Sequence, residues 1–553
     1  MSLETLDPQL LENLARPEGH PGDPTAARGV TWIQTHISHV FLTAARVVKL
    51  RKPVRLSFLD FSTRDARNRD AKRELQLNRR LAADVYRGLA PLHRGDDGRW
   101  RVGALREELE GGEPPPEHAV VMRRLPEGRD GRSLLEAGRL LDVQLEAVAR
   151  VLARFHAGQG LGRPAPWSPE VWRERTAAPV RANFESLREA GAQAVDPDAV
   201  VAAARASEAR LRTLAPALER RRQEGRAVDG HGDLHLEHVW FEEDAAEPIL
   251  IDCIEFDAEL RRIDVASEVA FLAMDLRYRG ARRLAARFLS AYAAHADDYG
   301  LFELVDFFAA YRAAVRAKVA ALASAEEEMA AQQRRGAARS ARRHLSLAGE
   351  LLEPRRPGVL VLVCGTVGVG KSTVARRLGE LLAGVVVRSD WVRKRMAGLA
   401  PTQRTGVAPD AGLYDPAFSE RVYAGLLERA EPVLRSGRTV ILDATFARRA
   451  HREAARARAD ALGASFHRVH VECAASVARA RLAQRAARGT DVSDAGPERV
   501  DPSRQRFEPL ELLPSASAHR LCTDRDAPEM LDANLQRLAR AIRPDLEGLH
   551  DRS

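Results

Sequence analysis

Lysine is nearly absent from this 553-residue chain: of its 86 basic residues only six are lysine, namely Lys49, Lys52, Lys72, Lys318, Lys371 and Lys394. A lysine at a motif position is therefore hard to attribute to chance. Cysteine is also sparse. Cys253, Cys364, Cys473 and Cys522 lie far apart, and none forms a C-x-x-C pair or a Cys/His cluster, so neither a disulfide framework nor a cysteine zinc site is indicated. Aromatic residues make up 5% of the chain, and no basic run is interleaved with them, as a single-strand nucleic-acid platform would require. No apolar run approaches the ~20 residues that cross a bilayer. The opening MSLETLDPQL carries acids where a secretory signal carries bases. A cytoplasmic protein with no membrane partner is expected.

What is present is ordinary globular material, with 30% charged and 45% hydrophobic residues. The net charge of +8 would suit a nucleic-acid partner. However, the arginines are spread along helices rich in Ala and Glu, which reads as solvated faces rather than a binding stripe. Nucleic acid is thus a possible partner but not the favoured one. The length exceeds what one core can organise.

The stretch Gly365 to Thr373 reads GTVGVGKST and fits G-x-x-x-x-G-K-[ST], the phosphate loop of P-loop nucleotide-binding proteins. Before it, Val359 to Cys364 is wholly apolar, as a strand buried on both faces would be. After it, Val374, Leu378, Leu381 and Leu382 fall on one helical face. Such a loop turns backbone N–H groups toward a triphosphate, which demands glycine where a Cβ would meet phosphate oxygen. Gly365, Gly368 and Gly370 supply that room, with Val369 and Thr373 lending backbone. Lys371 would reach the β and γ phosphates of ATP, and Ser372 would ligate Mg2+.

A second constellation begins at Val228, reading VDGHGDLHLEHVWF and then ILIDCIEFD. His231, Asp233, His235 and His238 crowd into eight residues, and Asp252 follows Asp233 by nineteen. A short hairpin turning at Glu242 to Glu247 would bring both carboxylates to one mouth. One carboxylate accepting a hydroxyl proton beside another holding a metal is what phosphoryl transfer requires. Upstream, Ile37 to Thr43 and Arg46 to Leu50 read as a hairpin, Asp65 to Asp84 as a charged helix, and Ala119 to Met122 as a strand. Leu145, Val148, Leu152 and Phe155 form a helical stripe, and Tyr311 to Leu352 reads as helix.

HGDLHLEHV followed by IDCIEFD resembles the catalytic loop and metal strand of the aminoglycoside phosphotransferase and choline kinase family, which shares the protein-kinase fold. The resemblance covers roughly Thr31 to Glu350. It implies that Asp233 is the catalytic base, Asp252 a magnesium ligand, Lys49 the lysine on the α and β phosphates, and Glu74 its helix partner. Asp264 resembles the family's structural acid. Where the family has a second metal-binding asparagine, this chain has His238, a nitrogen donor that suits magnesium poorly. Moreover, THISHVFLTAAR holds no glycine, so the phosphate lid is missing or rebuilt. The three histidines around Asp233 read as hydrogen-bonding packers of the loop.

PRRPG at Pro354 to Gly358 marks a boundary. Beyond the phosphate loop, strands are expected at Val385 to Val387, Thr439 to Leu442, Phe466 to Val471 and His519 to Cys522. Alternation with helices implies a parallel sheet, whose ligands lie beyond the carboxyl ends of the strands. This half resembles small P-loop kinases, AAA-family ATPase-like, and the whole resembles bacterial fusions of a phosphotransferase-like half with such a kinase. In polynucleotide kinases an acid and an arginine three residues later act as base and acceptor clamp, and Asp390 with Arg393 has that spacing. Asp443 would hold magnesium, touch substrate or cap a helix. Arg481, Arg485 and Arg488, before the flexible GTDVSDAGPE, are candidate lid arginines, with Arg485 placed in the catalytic set. Gly406 to Pro416 reads as an acceptor-side loop.

The expected fold is α/β and α+β in two domains, a protein-kinase-like bilobal domain at 31–353 and a P-loop domain with a parallel sheet at 357–543. A leader at 1–30 and a tail at 544–553 flank them. Three functions compete: an ATP- and Mg2+-dependent kinase of a small hydroxylated molecule such as a sugar or sugar acid, a polynucleotide 5'-hydroxyl kinase, and a non-catalytic ATP-binding regulator. The first is favoured.

Overall fold

The computed structural model describes residues 4–56, 59–112, 116–190, 194–243, 245–327, 329–399, 403, 413, 415–488, 496–524 and 528–544. Most of the acceptor-side loop from Gly406, residues 489–495 of the segment after the basic helix, and the tail from 545 lie outside them. The contacts divide the chain into two compact units. One holds Met1–Ala147, Gly158–Leu161 and Ala227–Glu268; the other holds Val148–Ala157, Gly162–Arg226 and Val269–Ser553.

The first unit is built on a six-stranded antiparallel sheet in the order Thr31–Gln34, Ser38–Leu42, Arg46–Arg51, His118–Arg123, Tyr86–Arg94, Trp100–Val102. Both of its faces are covered, so its central strands are buried at consecutive residues. Phe41, Val48, Leu50, Ala90, Leu92, Ala119 and Val121 bury together, and Leu10 and Leu14 of the short helix Pro8–Leu14 close that cluster. On the other face the helix Arg64–Ala82, capped by Thr63 Oγ1 on the Ala66 amide at 3.2 Å, packs Ala71, Leu75 and Ala82 against Leu89 and Val120. Register sets Lys49 between Val40 and Val120. The expected hairpin after the catalytic loop is present as Val239–Trp240 against Ile249–Leu250. Where a glycine-rich lid would lie, the strands Thr31–Gln34 and Ser38–Leu42 form a hairpin. Its turn is tied by the Thr35 amide to the Ser38 carbonyl (2.9 Å) and the Ser38 amide to Thr35 Oγ1 (3.0 Å).

The second unit joins a helical array to a parallel sheet. Tyr311 to Leu352 is two helices, not one: Val305–Ala325 ends where Glu326 adopts an extended conformation, and Ala331–Leu352 begins anew. The five-stranded sheet runs Val385–Arg388, Thr439–Asp443, Val359–Cys364, Ser465–Glu472, Ala518–Cys522, all parallel. The first of these strands in the sequence, Val359–Cys364, lies at the centre and is buried at every residue. The chain leaves it to one side and later crosses to the other, so the strand order reverses there, and a crevice opens at such a switch point. These sheets are those of a protein-kinase-like lobe and a P-loop nucleotide-binding domain, as expected from the sequence.

Candidate functional sites

In the second unit the glycine loop sits at that switch point. Gly365, Gly368 and Gly370 have φ of 145°, 78° and 94°, the region that disfavours any Cβ. A Cβ on Gly365 would stand 2.2 Å from the Val471 carbonyl oxygen, and one on Gly368 2.8 Å from that of Ala478. The helix Lys371–Leu381 starts directly after, so its unpaired N–H groups face the loop. Val369 is buried in the sheet core and its carbonyl accepts from Thr523 Oγ1 at 2.8 Å. The Thr373 amide donates to the Gly370 carbonyl at 3.1 Å.

Lys371, Ser372, Asp390, Arg393, Asp443 and Arg485, all singled out by sequence, line one cavity of about 560 Å3. Lys371 Nζ donates to the Thr366 carbonyl oxygen at 2.7 Å. Burial pushes its ammonium below the ordinary range, against the pull of Asp443 and Asp390. Asp390 lies in the first turn of the helix Ser389–Met396. Arg393, one turn on and buried, donates to the Leu413 carbonyl and, at 3.2 Å, to Ser419 Oγ. Asp443 ends its strand, paired in register with both Val363 and Arg388. It caps no helix, because the next begins at Arg449 with Arg448 at its N-cap. The basic helix is Ala475–Arg488, from which Arg481 and Arg485 reach the cavity; the Arg488 side chain lies outside the described residues.

Residues that the sequence did not single out also act at or beside this site. Arg388 approaches both Asp443 and Ser372. Thr523, at the end of the last strand, receives Arg481 Nη1 at 2.8 Å on its hydroxyl and Nη2 at 2.7 Å on its carbonyl, so it joins the basic helix to the loop. Tyr423 shares a hydrogen bond of 2.9 Å with Thr445 Oγ1 on the cavity wall. A charged residue ending a buried strand was the available signal for Arg388; the other two carry none.

In the first unit Lys49 Nζ lies 2.8 Å from Glu74 Oε1 and 3.0 Å from Asp252 Oδ1, bringing together three residues spread over two hundred positions. Glu74 is 1% exposed and also receives Arg51, which in turn binds Asp70 and Glu255. Burial works against the Lys49 ammonium, yet Asp252 and Glu74 hold it above its usual value. Burial likewise pushes Asp252 up, but Lys49 and His238 hold its carboxyl well below the carboxylate range. Burial pushes the Glu255 carboxyl up to about 8, although Arg51 opposes it. Asp252 has φ 64°, and its amide donates to Tyr86 Oη at 3.2 Å.

The loop of residues 231–238 is held by Glu268, which accepts the His231 amide at 3.0 Å and the Gly232 amide at 3.1 Å. A Cβ on Gly230 would stand 2.6 Å from the same carboxylate. Asp264, to which the resemblance gives a structural role, accepts the Ala266 amide at 2.7 Å. Burial pushes the Asp233 carboxyl up, but His235 and His238 hold it well below the usual range. His238 lies between the two carboxylates, 3.7 Å from Asp233 Oδ2 and 3.5 Å from Asp252 Oδ2. No helix among the described residues is long and apolar enough to cross a membrane.

A family model described as "Phosphotransferase enzyme family" matches residues 45–305, and one described as "AAA domain" matches 360–510. The chain is thus a fusion of a phosphotransferase domain with an AAA-type ATPase domain, an ATP-using enzyme that transfers phosphate to hydroxyl-bearing substrates. It belongs to the family of Rv2004c from Mycobacterium tuberculosis (strain ATCC 25618 / H37Rv), to which it is 36% identical over 453 residues, 80% of this chain and 83% of that one. Mb2027c of Mycobacterium bovis matches to the same extent. Among solved structures, a glucosamine kinase in complex with glucosamine, ADP and inorganic phosphate is 21% identical, covers 57% of this chain and 77% of its own, and has a TM-score of 0.31. A gluconokinase from Sinorhizobium meliloti 1021 is 18% identical, covers 36% of this chain and 99% of its own, and has a TM-score of 0.24. Neither likeness bears on the substrate.

Proposed function

We propose that this protein is a cytoplasmic Mg2+-dependent kinase of a small hydroxylated molecule, a sugar or sugar acid, whose phosphate donor site is the glycine loop of the second unit. The observation that carries the reading is the convergence of Lys371, Ser372, Asp390, Arg393, Asp443 and Arg485 on one cavity at the carboxyl ends of parallel strands. Ser372 and Asp443 would hold magnesium, an oxygen-donor pair that fits this ion and supplies charge neutralisation across the phosphates. Lys371 binds the β and γ phosphates. Asp390 takes the acceptor hydroxyl proton, Arg393 clamps an acidic or polar group of the acceptor, and Arg485 stabilises charge on the phosphoryl group in flight.

The first unit supplies a second phosphotransferase site. There Asp233 takes the acceptor proton, Lys49 held by Glu74 orients the donor phosphates, and Asp252 with His238 offers metal ligands. The supporting geometry is the unbroken chain of contacts from Glu74 through Lys49 to Asp252 and His238.

The test is ATP consumption over a panel of sugars, sugar acids, aminoglycosides and 5'-hydroxyl oligonucleotides, with Lys371→Ala and Asp233→Ala run separately. A sugar or sugar acid should support turnover that Lys371→Ala abolishes. Turnover with oligonucleotides alone, falling steeply with salt, would instead identify a polynucleotide kinase. Nucleotide binding with no turnover on any acceptor would identify a regulator.

A further inference from the structure

The catalytic loop of the first unit sets two electron-rich atoms against each other. His238 Nδ1 lies 2.8 Å from the Asp233 carbonyl oxygen. A carbonyl can only accept, so this nitrogen carries the ring proton. In the neutral ring Nε2 is then a bare lone pair, and it faces Asp252 Oδ2 at 3.5 Å. A carboxylate oxygen also only accepts. Two acceptors held this close repel unless a second ring proton or a metal cation lies between them. Lys49 does not fill that role, because its ammonium is bound to the other Asp252 oxygen, Oδ1, at 3.0 Å.

A second imidazole stands beside the first. Donor atoms of Asp233, His235 and His238 lie within 4.8 Å of one another, and the His235 and His238 ring centroids are 3.9 Å apart. His231 is occupied elsewhere: its Nε2 bonds the Ile251 carbonyl at 2.8 Å and its Nδ1 accepts the Asp233 amide at 3.3 Å.

We infer that this loop is built to bind a divalent transition ion, of the Mn2+, Co2+ or Zn2+ class, in preference to magnesium, through His238 Nε2 and Asp252 Oδ2 with His235 and Asp233 alongside. Magnesium demands near-octahedral oxygen donors and sheds its water reluctantly, whereas imidazole nitrogen suits the borderline first-row ions. The two sites of the chain therefore differ in metal, with oxygen donors Ser372 and Asp443 in one and mixed nitrogen and oxygen donors in the other. The inference rests on the proposed phosphotransferase reading for the purpose of the ion, but its ligand set stands on the contacts above.

The experiment uses the full chain without nucleotide. Mn2+ binding is followed by electron paramagnetic resonance and Co2+ binding by visible absorption, each in competition with Mg2+, for the natural protein and for His238→Asn. Mn2+ and Co2+ should bind at least ~10-fold more tightly than Mg2+. Pulsed resonance of the Mn2+ form should show nitrogen coupling from coordinated imidazole, a reading that needs no variant to fold. His238→Asn should erase most of the preference. Equal affinity for Mg2+, absence of nitrogen coupling, or no metal binding because His238 and Asp252 form only an imidazolium–carboxylate pair would overturn the inference. Turnover in a Lys371→Ala background separates the two ideas. Metal binding as described without turnover leaves the ion assignment standing and removes the phosphotransferase reading of this loop, while turnover supported best by Mg2+ does the reverse.

Discussion

Arg388 Nε stands 3.3 Å from Asp443 Oδ2. The same guanidinium donates through Nη2 to Ser372 Oγ at 3.4 Å, so one positive charge bridges the two side chains proposed to hold magnesium. Without nucleotide, Arg388 compensates a carboxylate that is only 4% exposed. Magnesium and the guanidinium would compete for the same oxygens.

Arg388→Met should therefore lower the melting temperature of the nucleotide-free protein and reduce, several-fold, the Mg2+ concentration that half-saturates ATP-dependent stabilisation. Thermal melting across a magnesium series measures both. An unchanged magnesium midpoint would place Arg388 outside the metal's reach.

Lys371→Ala should abolish stabilisation by ATP at the cavity. At ATP a hundredfold above its dissociation constant the natural protein gains about 2.7 kcal/mol, and the variant should gain none from this site. Scanning fluorimetry on both proteins decides it.

Asp390→Asn keeps the shape of the base and removes its proton affinity. Turnover should fall by roughly 10²–10⁴ while ATP affinity stays within error, since the residue acts on the acceptor. A parallel loss of ATP binding would make Asp390 part of the donor site instead.

The buried pair Arg221 and Asp298, bidentate at 2.7 and 2.8 Å with side chains 0% and 1% exposed, is a structural test away from both sites. Asp298→Asn strands the guanidinium and should cost about 3–5 kcal/mol. Burial pushes the Asp298 carboxyl up, but Arg221 and Arg226 hold it below its ordinary 3.8. The folded protein thus binds this proton more weakly than the unfolded chain does. The pair's stabilisation is present above pH 3.8 and is lost as pH falls from there through the lower folded value. Melting curves of the natural protein should show that acid loss, and those of Asp298→Asn should lack its share.

Much of this was legible because the physics was local. The all-apolar run Val359–Cys364, the glycines with positive φ and the helix that follows are contiguous, and four of the five parallel strands carry β-branched residues. Lys49 and Glu74 could be paired only through the family resemblance, which their order and spacing fit. Arg388 ends a buried strand, but an arginine excess masks that signal. Thr523 depends on the last strand lying beside Ser465–Glu472, a contact between distant segments with no spacing signal. Glu268 and Arg51 acquire their roles only when the catalytic loop and the lysine strand are folded against them. The interruption at Glu326 within an Ala- and Arg-rich stretch breaks no periodicity that a sequence window would register.

The phosphate donor is held by one half of the chain. Calorimetric titration of ATP with magnesium into the full chain, compared between Lys371→Ala and Lys49→Ala, tests this most directly. Lys371→Ala should remove the dominant binding heat, and Lys49→Ala should retain it. Full binding by Lys371→Ala, with loss in Lys49→Ala, would contradict this expectation.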